Sequence, residues 1–472
     1  MKNWDEVEWD APDLSEVFPH EKDYLADLPQ GFGLKGRKMT KHAVVDDHND
    51  YYRITSQDES LVEYAPDIWN LYHLMVHHHI DVLWAMPGCS FSRNIRREHF
   101  DALNYDTYVP EHLVKNRVHG ARVGKKHFMF PENREWKQPQ HGDKGVWKVE
   151  TAHDLLATVG TLEQEYKVPI LWGPSHVGFE VLRSIQRFGG VEPTPLGGEQ
   201  QREFLTLARA MAAPVSWGNL HTRGKWIVGV DKNGQFLGAA QSVKLGSGAY
   251  VKAENYGPNQ AAFWRYEAGA LGDGPLSSWI LPKPLPPTGW ASTDLIEAAR
   301  KMGMWVETHE GITWKESGKY LETWAKEMWV HRSNLSTWAN PRNAVFDNAA
   351  STAKMIPNTM IGRFKKEGFP HWNMGIIHRA IANQAYTLMR LYRDEEIAPI
   401  LVSKDALYFV TDAATPQEAC PGLLEHPTEQ RGYKLIGVCE MTNDIVAAFE
   451  RINDKRFGVG GVEGVIKGAM KV

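Results

Sequence analysis

The amino-acid sequence predicts a mixed α/β chain, of the α+β kind, with more than one domain. Three observations predict it. Residues 41–215 alternate short apolar runs with helical patterns, residues 217–260 turn β-rich with a run that ends in an acid, and the second half carries long helical stretches followed by short strands. At 472 residues the chain is long enough for two or three domains with sizeable cores.

In order along the chain, residues 1–40 read as an acidic, Pro-containing surface segment with Trp4, Trp9 and Phe18 set among the acids. Ile80–Met86 (IDVLWAM) and Val168–Trp172 (VPILW) look like buried strands, Pro131–Gly145 like a loop, and Val177–Phe188 like a helix. Lys225–Asp231 (KWIVGVD) is a β-rich run. Gly246–Gly248 marks a turn, and Ala249–Ala253 begins another strand. Leu281–Gly289 (LPKPLPPTG) is a stiff, extended connector. In Ser317–Arg332 the residues Tyr320, Leu321, Trp324, Ala325 and Met328 fall on one helical stripe. A second helix runs from about Pro341 to Phe364 and a third over Asn373–Arg393. Strands follow at Pro399–Val402 and Asp405–Val410, then a short helix at Thr442–Asn453.

Composition excludes several classes. Hydrophobic residues make up 42% and charged residues 24% of the chain, ordinary for a globular protein. No apolar run approaches the roughly 18 residues of a membrane span, and the acidic start lacks a secretory pattern. Cys89, Cys420 and Cys439 stand far apart, against a disulfide framework or a cysteine zinc site and in keeping with a reducing cytoplasm. The formal charge of −5 is unevenly spread. Residues 1–30 hold two basic and nine acidic side chains, whereas residues 217–472 hold 29 basic and 26 acidic. Backbone-binding proteins need a local basic surface rather than a basic total. His77-His78-His79 suits a metal poorly, because adjacent side chains diverge.

Three separated pieces carry the chemistry. Asp231 ends a buried strand, where an acid points into a cleft, and Phe236 follows five residues on. The alternative is an Asp-x-Asn-Gly hairpin turn in which Asp231 and Asn233 serve turn chemistry. Lys354, Asn358 and Gly362 fall at i, i+4 and i+8, one helical stripe of a cation, an amide and a gap. The alternative there is a solvated lysine on a helix that ends near Pro357. Ser403-Lys404-Asp405 lies between two apolar runs, which places Asp405 at a hairpin tip. Two acids from different strands can hold two metal ions roughly 4 Å apart, and a polar β-turn is the plainer alternative.

In this order the three pieces resemble the motifs of family B DNA polymerases. Residues 231–237 look like motif A, closest to the Asp-x-Asn-Ser-x-Tyr form of the protein-primed subgroup. Residues 354–362 look like motif B, Lys-x-x-x-Asn-Ser-x-Tyr-Gly, with Thr359 for Ser and Ile361 for Tyr. Residues 403–408 look like motif C, Asp-Thr-Asp-Ser, with Asp405 as its second acid and Ser403 in place of its first. The resemblance implies that Asp231 and Asp405 bind Mg²⁺, with Mn²⁺ as a substitute. It implies that Lys354 and Arg342 contact the incoming deoxynucleoside triphosphate, and that Phe236 closes off the sugar 2′ side. Asn358 and Gly362 would face the nascent base pair, and Tyr433-Lys434 the primer terminus.

The resemblance further implies a degenerate RNase H or exonuclease-like domain over 41–215, with Asp46 on its first strand but no glutamate two residues on. It places a first part of the palm at 216–300, helical fingers at 301–365, and the rest of the palm with a reduced thumb at 366–472. The implied function is template-directed DNA synthesis without proofreading. Its partners are a DNA primer-template, nucleotides and a priming or accessory replication protein, in a plasmid, phage or other mobile element. The alternative is a catalytically reduced DNA-binding protein of the same fold, acting in replication or telomere maintenance.

Overall fold

The computed structural model describes residues 41–49, 51–56, 61–86, 89, 107–108, 120–123, 126–129, 147, 149–171, 173–189, 192–213, 216–271, 275–339, 343–412, 423–424 and 432–470. The acidic segment 1–40, the loop at 131–145 and Arg342 lie outside these residues.

Three sheets organise the chain. Strands β1 (His42–His48), β2 (Tyr51–Ser56), β3 (Val62–Ala65), β4 (Val82–Ala85), β5 (Thr107–Tyr108), β6 (Gly120–Val123) and β7 (Lys126–Met129) form the first, in the order β3-β2-β1-β4-β7-β6-β5. Its middle strands β1, β4 and β7 run parallel. That suits the continuous apolar runs Ala43–Val45 and Val82–Ala85, every residue of which is buried.

The third sheet is built from distant parts of the sequence. Strands β8 (Ser216–Gly218), β9 (Trp226–Lys232), β14 (Leu401–Ser403), β15 (Ala406–Thr411) and β16 (Tyr433–Glu440) lie in the order β16-β9-β15-β14-β8, all antiparallel. Alternation along these strands separates two faces. Val228, Val230, Val402, Leu407 and Phe409 pack with Ile381, Ala385 and Leu388 of the helix Pro370–Glu395. Ile227, Leu401, Ala406 and Tyr408 pack with Ile445, Phe449, Val462 and Ile466 of the helices Asn443–Glu450 and Gly458–Ala469. Both layers are needed, because a sheet apolar on both faces must be covered on both.

Between β9 and β14 the chain makes the second sheet and the main helices. Strands β10 (Leu245–Ala253), β11 (Ala262–Ala270), β12 (Thr288–Ser292) and β13 (Met304–Gly318) pair antiparallel in the order β10-β13-β11-β12. The helix Glu322–Thr337 starts five residues later than expected, because β13 runs to Gly318; of the expected stripe it buries Trp324, Ala325 and Met328, with Leu321 buried at its N-cap and Tyr320 half-buried before it. The helix Ala344–Arg363 is capped by the Asn343 side chain, which accepts from Val345 and Phe346. It continues through Pro357, whose ring is buried in the first core. Packing of Ile356 and Met360 over Gly178, where a Cβ would come within 2.9 Å of Met360, outweighs the lost backbone hydrogen bond.

Three sequence expectations are corrected, and one helix had none. Val168–Leu171 is a buried connector between helices, not a strand. Lys167 ends the preceding helix in the left-handed region, and Pro169 removes a ladder donor. The turn at Gly246–Gly248 is a bulge inside the single strand β10, with Gly248 at φ 72°. Residues 301–365 do not begin helical, because β13 occupies 304–318. The last helix, Gly458–Ala469, carries five glycines and so gave no helical signal, yet Val462 and Ile466 are fully buried.

Gly246 also locates a tightly packed point. Its carbonyl accepts from Trp372 Nε1 at 2.7 Å and lies 3.0 Å from His371 Nε2, and the Trp314 ring covers its α-carbon. Trp314 in turn stacks on His371 at 4.6 Å. A methyl group on Gly246 would overlap the Trp314 indole. Gly246→Ala is therefore expected to destabilise the fold by about 1–3 kcal/mol, the usual range for overpacking. Urea unfolding monitored by tryptophan fluorescence checks this, and an unchanged midpoint refutes it.

Candidate active site

The site forms at the ends of β9 and β15. Their register sets Ala406 opposite Asp231, so Asp405, one residue before Ala406, comes next to Asp231. The Lys232 N–H donates to the Asp405 carbonyl at 3.3 Å, which closes the ladder at this point. Asp231 shares the face of Gly229, Ala406 and Tyr408, by the two-residue period of the strands. After Asp231 the chain turns through Asn233 and Gly234 into the helix Gln235–Ser242, so the Asp-x-Asn-Gly hairpin alternative does not hold. Gly234 is left-handed at φ 57°, and a side chain there would strike the Trp329 ring. Phe236, half-buried in the first turn of this helix, packs on the first core.

Asp405 occupies the two-residue tip between β14 and β15, beside Lys404 at φ 58°. Its carboxyl is pushed up to about 6, by burial first and then by the negative charge of Asp231. The two acids therefore repel each other across the strand boundary. Among the described residues a cation at ion-pair distance is found at Asp231, where Lys434, opposite it on β16, places Nζ at 2.8 Å, while Lys434 and Lys404 act on Asp405 through their charge.

Two more cations approach from the helices. Arg332, on Glu322–Thr337, is desolvated, which lowers its pKa, while Asp231, Tyr166 and Asp405 act to raise it. Its Nη1 would lie 3.7 Å from a Cβ on Gly234, which puts it over the turn after Asp231. Lys354, on Ala344–Arg363, has an exposed side chain whose ammonium is partly desolvated by its surroundings. That desolvation, then the Arg332 and Lys434 charges, lowers its pKa. Lys354, Asn358 and Gly362 are all exposed, so the stripe expected of them forms one open face. Arg342 lies outside the described residues, and Tyr433 is only 3% exposed, buried in the core behind the sheet. Of the expected Tyr433-Lys434 pair, only Lys434 reaches the site, and the Tyr433 side chain is corrected to a core residue.

Arg332 escaped the sequence reading. Its signal was its spacing: four residues beyond Met328, it continues an otherwise apolar stripe, where a charge needs a reason to be buried.

Two carboxylates on adjacent strands, with surplus negative charge between them, suit a hard divalent cation. Among the described residues no cluster of three or more His, Cys, Asp and Glu side chains assembles. A metal at this pair would therefore complete its shell with phosphate oxygens and water. On the first sheet, Asp46 is already neutralised. Arg53, opposite it on β2, donates to both its carboxylate oxygens at 3.1 and 2.6 Å. No helix among the described residues is long and apolar enough to cross a membrane.

No family model matches the chain, and no curated protein matches it. Solved structures do. Phi29 DNA polymerase with primer-template DNA, in a post-translocation binary complex, superposes with a TM-score of 0.52 at 11% identity, covering 85% of each chain. The phi29 ternary complex with primer-template DNA and incoming nucleotide gives 0.51 at 10% identity, covering 85% of this chain and 86% of that one. An orthorhombic crystal form of the same polymerase gives 0.51 at 9% identity, with 85% of each chain covered. The chain has the fold of phi29 DNA polymerase, a protein-primed family B enzyme.

The raised Asp405 carboxyl has a consequence for stability. Its folded value of about 6 exceeds the ~3.9 of an unfolded chain. Between these values the folded protein binds more protons, so stability falls as pH rises from about 4 to about 6. Asp405→Asn removes the repulsion with Asp231. In metal-free buffer its melting temperature should exceed the parent's at pH 7, with the gap closing toward pH 4. A gap of the same size at both pH values would refute the assignment.

Proposed function

On the fold of a family B DNA polymerase, we propose that this chain is a template-directed DNA polymerase. The observation that carries the proposal is the meeting of Asp231 and Asp405 across the β9–β15 register, with the charge of Arg332 acting on both. The five-stranded sheet is the palm, the helices Glu322–Thr337 and Ala344–Arg363 the fingers, and residues 41–215 a degenerate exonuclease-like domain. The Asp46–Arg53 pair supports synthesis without proofreading, because a carboxylate held by a bidentate guanidinium is not free to bind metal.

The reaction joins the primer 3′-oxygen to the α-phosphorus of a deoxynucleoside triphosphate. The hydroxyl loses its proton to solvent, and the bond to pyrophosphate breaks as pyrophosphate leaves. Mg²⁺ or Mn²⁺, held by Asp231 and Asp405, would polarise the phosphate and lower the pKa of the attacking hydroxyl. Arg332 and Lys354 bind the triphosphate oxygens, and the N-terminus of the helix Gln235–Ser242 adds its uncapped N–H groups. Phe236 stands against the sugar where a 2′-hydroxyl would clash. Asn358 and Gly362 present the open face of the fingers helix to the new base pair. With a divalent ion held at Asp231, Lys434 would be free to meet the primer phosphate.

A primer-extension assay with Mg²⁺ or Mn²⁺ tests the proposal. The parent should extend a primer on a DNA template. Asp231→Asn and Asp405→Asn should each lose about a thousandfold or more, the effect of several kcal/mol of charge stabilisation. Arg332→Ala and Lys354→Ala should each cost about 10- to 100-fold in kcat/KM for the nucleotide, the worth of a charge-assisted hydrogen bond. A parent that binds primer-template DNA but extends nothing supports the second reading, a catalytically reduced DNA-binding protein. The serine at position 403 and the Lys434–Asp231 pair favour that reading.

Within an active enzyme, Phe236→Val should relax discrimination against ribonucleotides by about 10- to 100-fold, the scale set by relieving one steric clash. Unchanged ratios of ribo- to deoxynucleotide incorporation would remove Phe236 from this role.

A further inference from the structure

The hairpin that presents Asp405 is short and strained. Strand β14 has only three residues, and Lys404 at the tip sits in the left-handed region at φ 58°. Such a conformation persists only where the surroundings over-determine it. From one side, Gln384 Nε2 donates to the Lys404 carbonyl at 2.7 Å. From the other side comes one carboxylate, Glu463 on the last helix. Ser403 Oγ donates to Glu463 Oε2 at 2.6 Å, and Tyr408 Oη donates to Glu463 Oε1 at 3.0 Å. These two donors lie on opposite strands of the hairpin, so a single side chain clamps both. Lys467 Nζ, one helical turn on, lies 2.7 Å from Glu463 Oε1 and favours its ionised form.

We propose that Glu463 is a positioning residue for Asp405: it braces the hairpin through Ser403 and Tyr408 and so sets the geometry in which Asp231 and Asp405 take a divalent cation. The carboxylate that the hairpin lacks at position 403 is supplied from the helix Gly458–Ala469, one hydrogen bond away. This rests on the polymerase reading of the site. Glu463 is a partner of the hairpin rather than a ligand, and such outer partners govern how well ligands are oriented.

The test is Mn²⁺ binding by the full chain without DNA or nucleotide, followed by the loss of the free-ion electron paramagnetic resonance signal. Thermal unfolding of each variant is measured alongside. Glu463→Ala should weaken Mn²⁺ binding by about tenfold or more, the usual loss on removing such a partner. The double variant Ser403→Asn, Glu463→Gln rebuilds an amide–amide hydrogen bond across the same gap without adding a second carboxylate beside Asp405, and should return affinity to within about threefold of the parent. A folded Glu463→Ala protein with parental affinity overturns the proposal, as does a loss that the double variant leaves in place. Should the alanine variant not fold, Glu463→Gln is compared with the double variant instead. A loss of about threefold or more that the double variant reverses supports the proposal, and any smaller loss overturns it. A parent whose Mn²⁺ binding is absent, or is unmoved by Asp231→Asn, overturns this inference, whereas the polymerase reading stands or falls with primer extension.

Discussion

One register holds the molecule's chemistry in place. The antiparallel ladder between β9 and β15 sets Asp231 opposite Ala406, and a slip of one residue would turn Asp231 to the opposite face of the sheet. The apolar alternation of both strands resists that slip. Val228 and Val230 face one core, with Leu407 and Phe409, while Ile227 and Tyr408 face the other. Hydrophobic burial thus fixes the position of two carboxylates that repel each other. The cost of that repulsion is carried by the sheet and eased by the charges of Lys434 and Lys404.

Much of this was legible in sequence, for identifiable reasons. The stripe of Lys354, Asn358 and Gly362 depends only on helical period, and the helix kept that period even through Pro357. The strand before Asp231 and the hairpin before Asp405 were marked by apolar runs and a polar tip. What escaped was set by contacts between distant segments. Gly248 looked like a turn because its left-handed conformation and a turn share the same residue preference. Arg332 and Glu463 sit on helices whose own sequences do not say which strand they meet. The second sheet and two helices separate Asp231 from Arg332, and two strands and a helix among the described residues separate Asp405 from Glu463, so no local period links them.

The two halves of the chain treat their acids differently. On the first sheet, Asp46 receives a guanidinium fork that satisfies both oxygens. On the third sheet, Asp231 receives a single ammonium, and Asp405 receives no side-chain cation within ion-pair distance among the described residues. A bidentate arginine is a rigid, permanent partner, whereas a lysine on its flexible stem exchanges readily with another cation. The same residue type is therefore a structural element in one sheet and an open electrostatic vacancy in the other.

The brace on the hairpin also has an uneven thermodynamic footing. Five glycines in twelve residues make Gly458–Ala469 a poor helix by itself, each costing about 1 kcal/mol against alanine. Tertiary contacts at Val462, Glu463 and Ile466 hold it on the sheet. Elements so composed open locally at free energies well below that of global unfolding. In hydrogen exchange this helix should form its own foldon, losing protection while the strands of the five-stranded sheet beneath it remain closed. The first event on warming would then be a loosened hairpin tip in an otherwise intact protein.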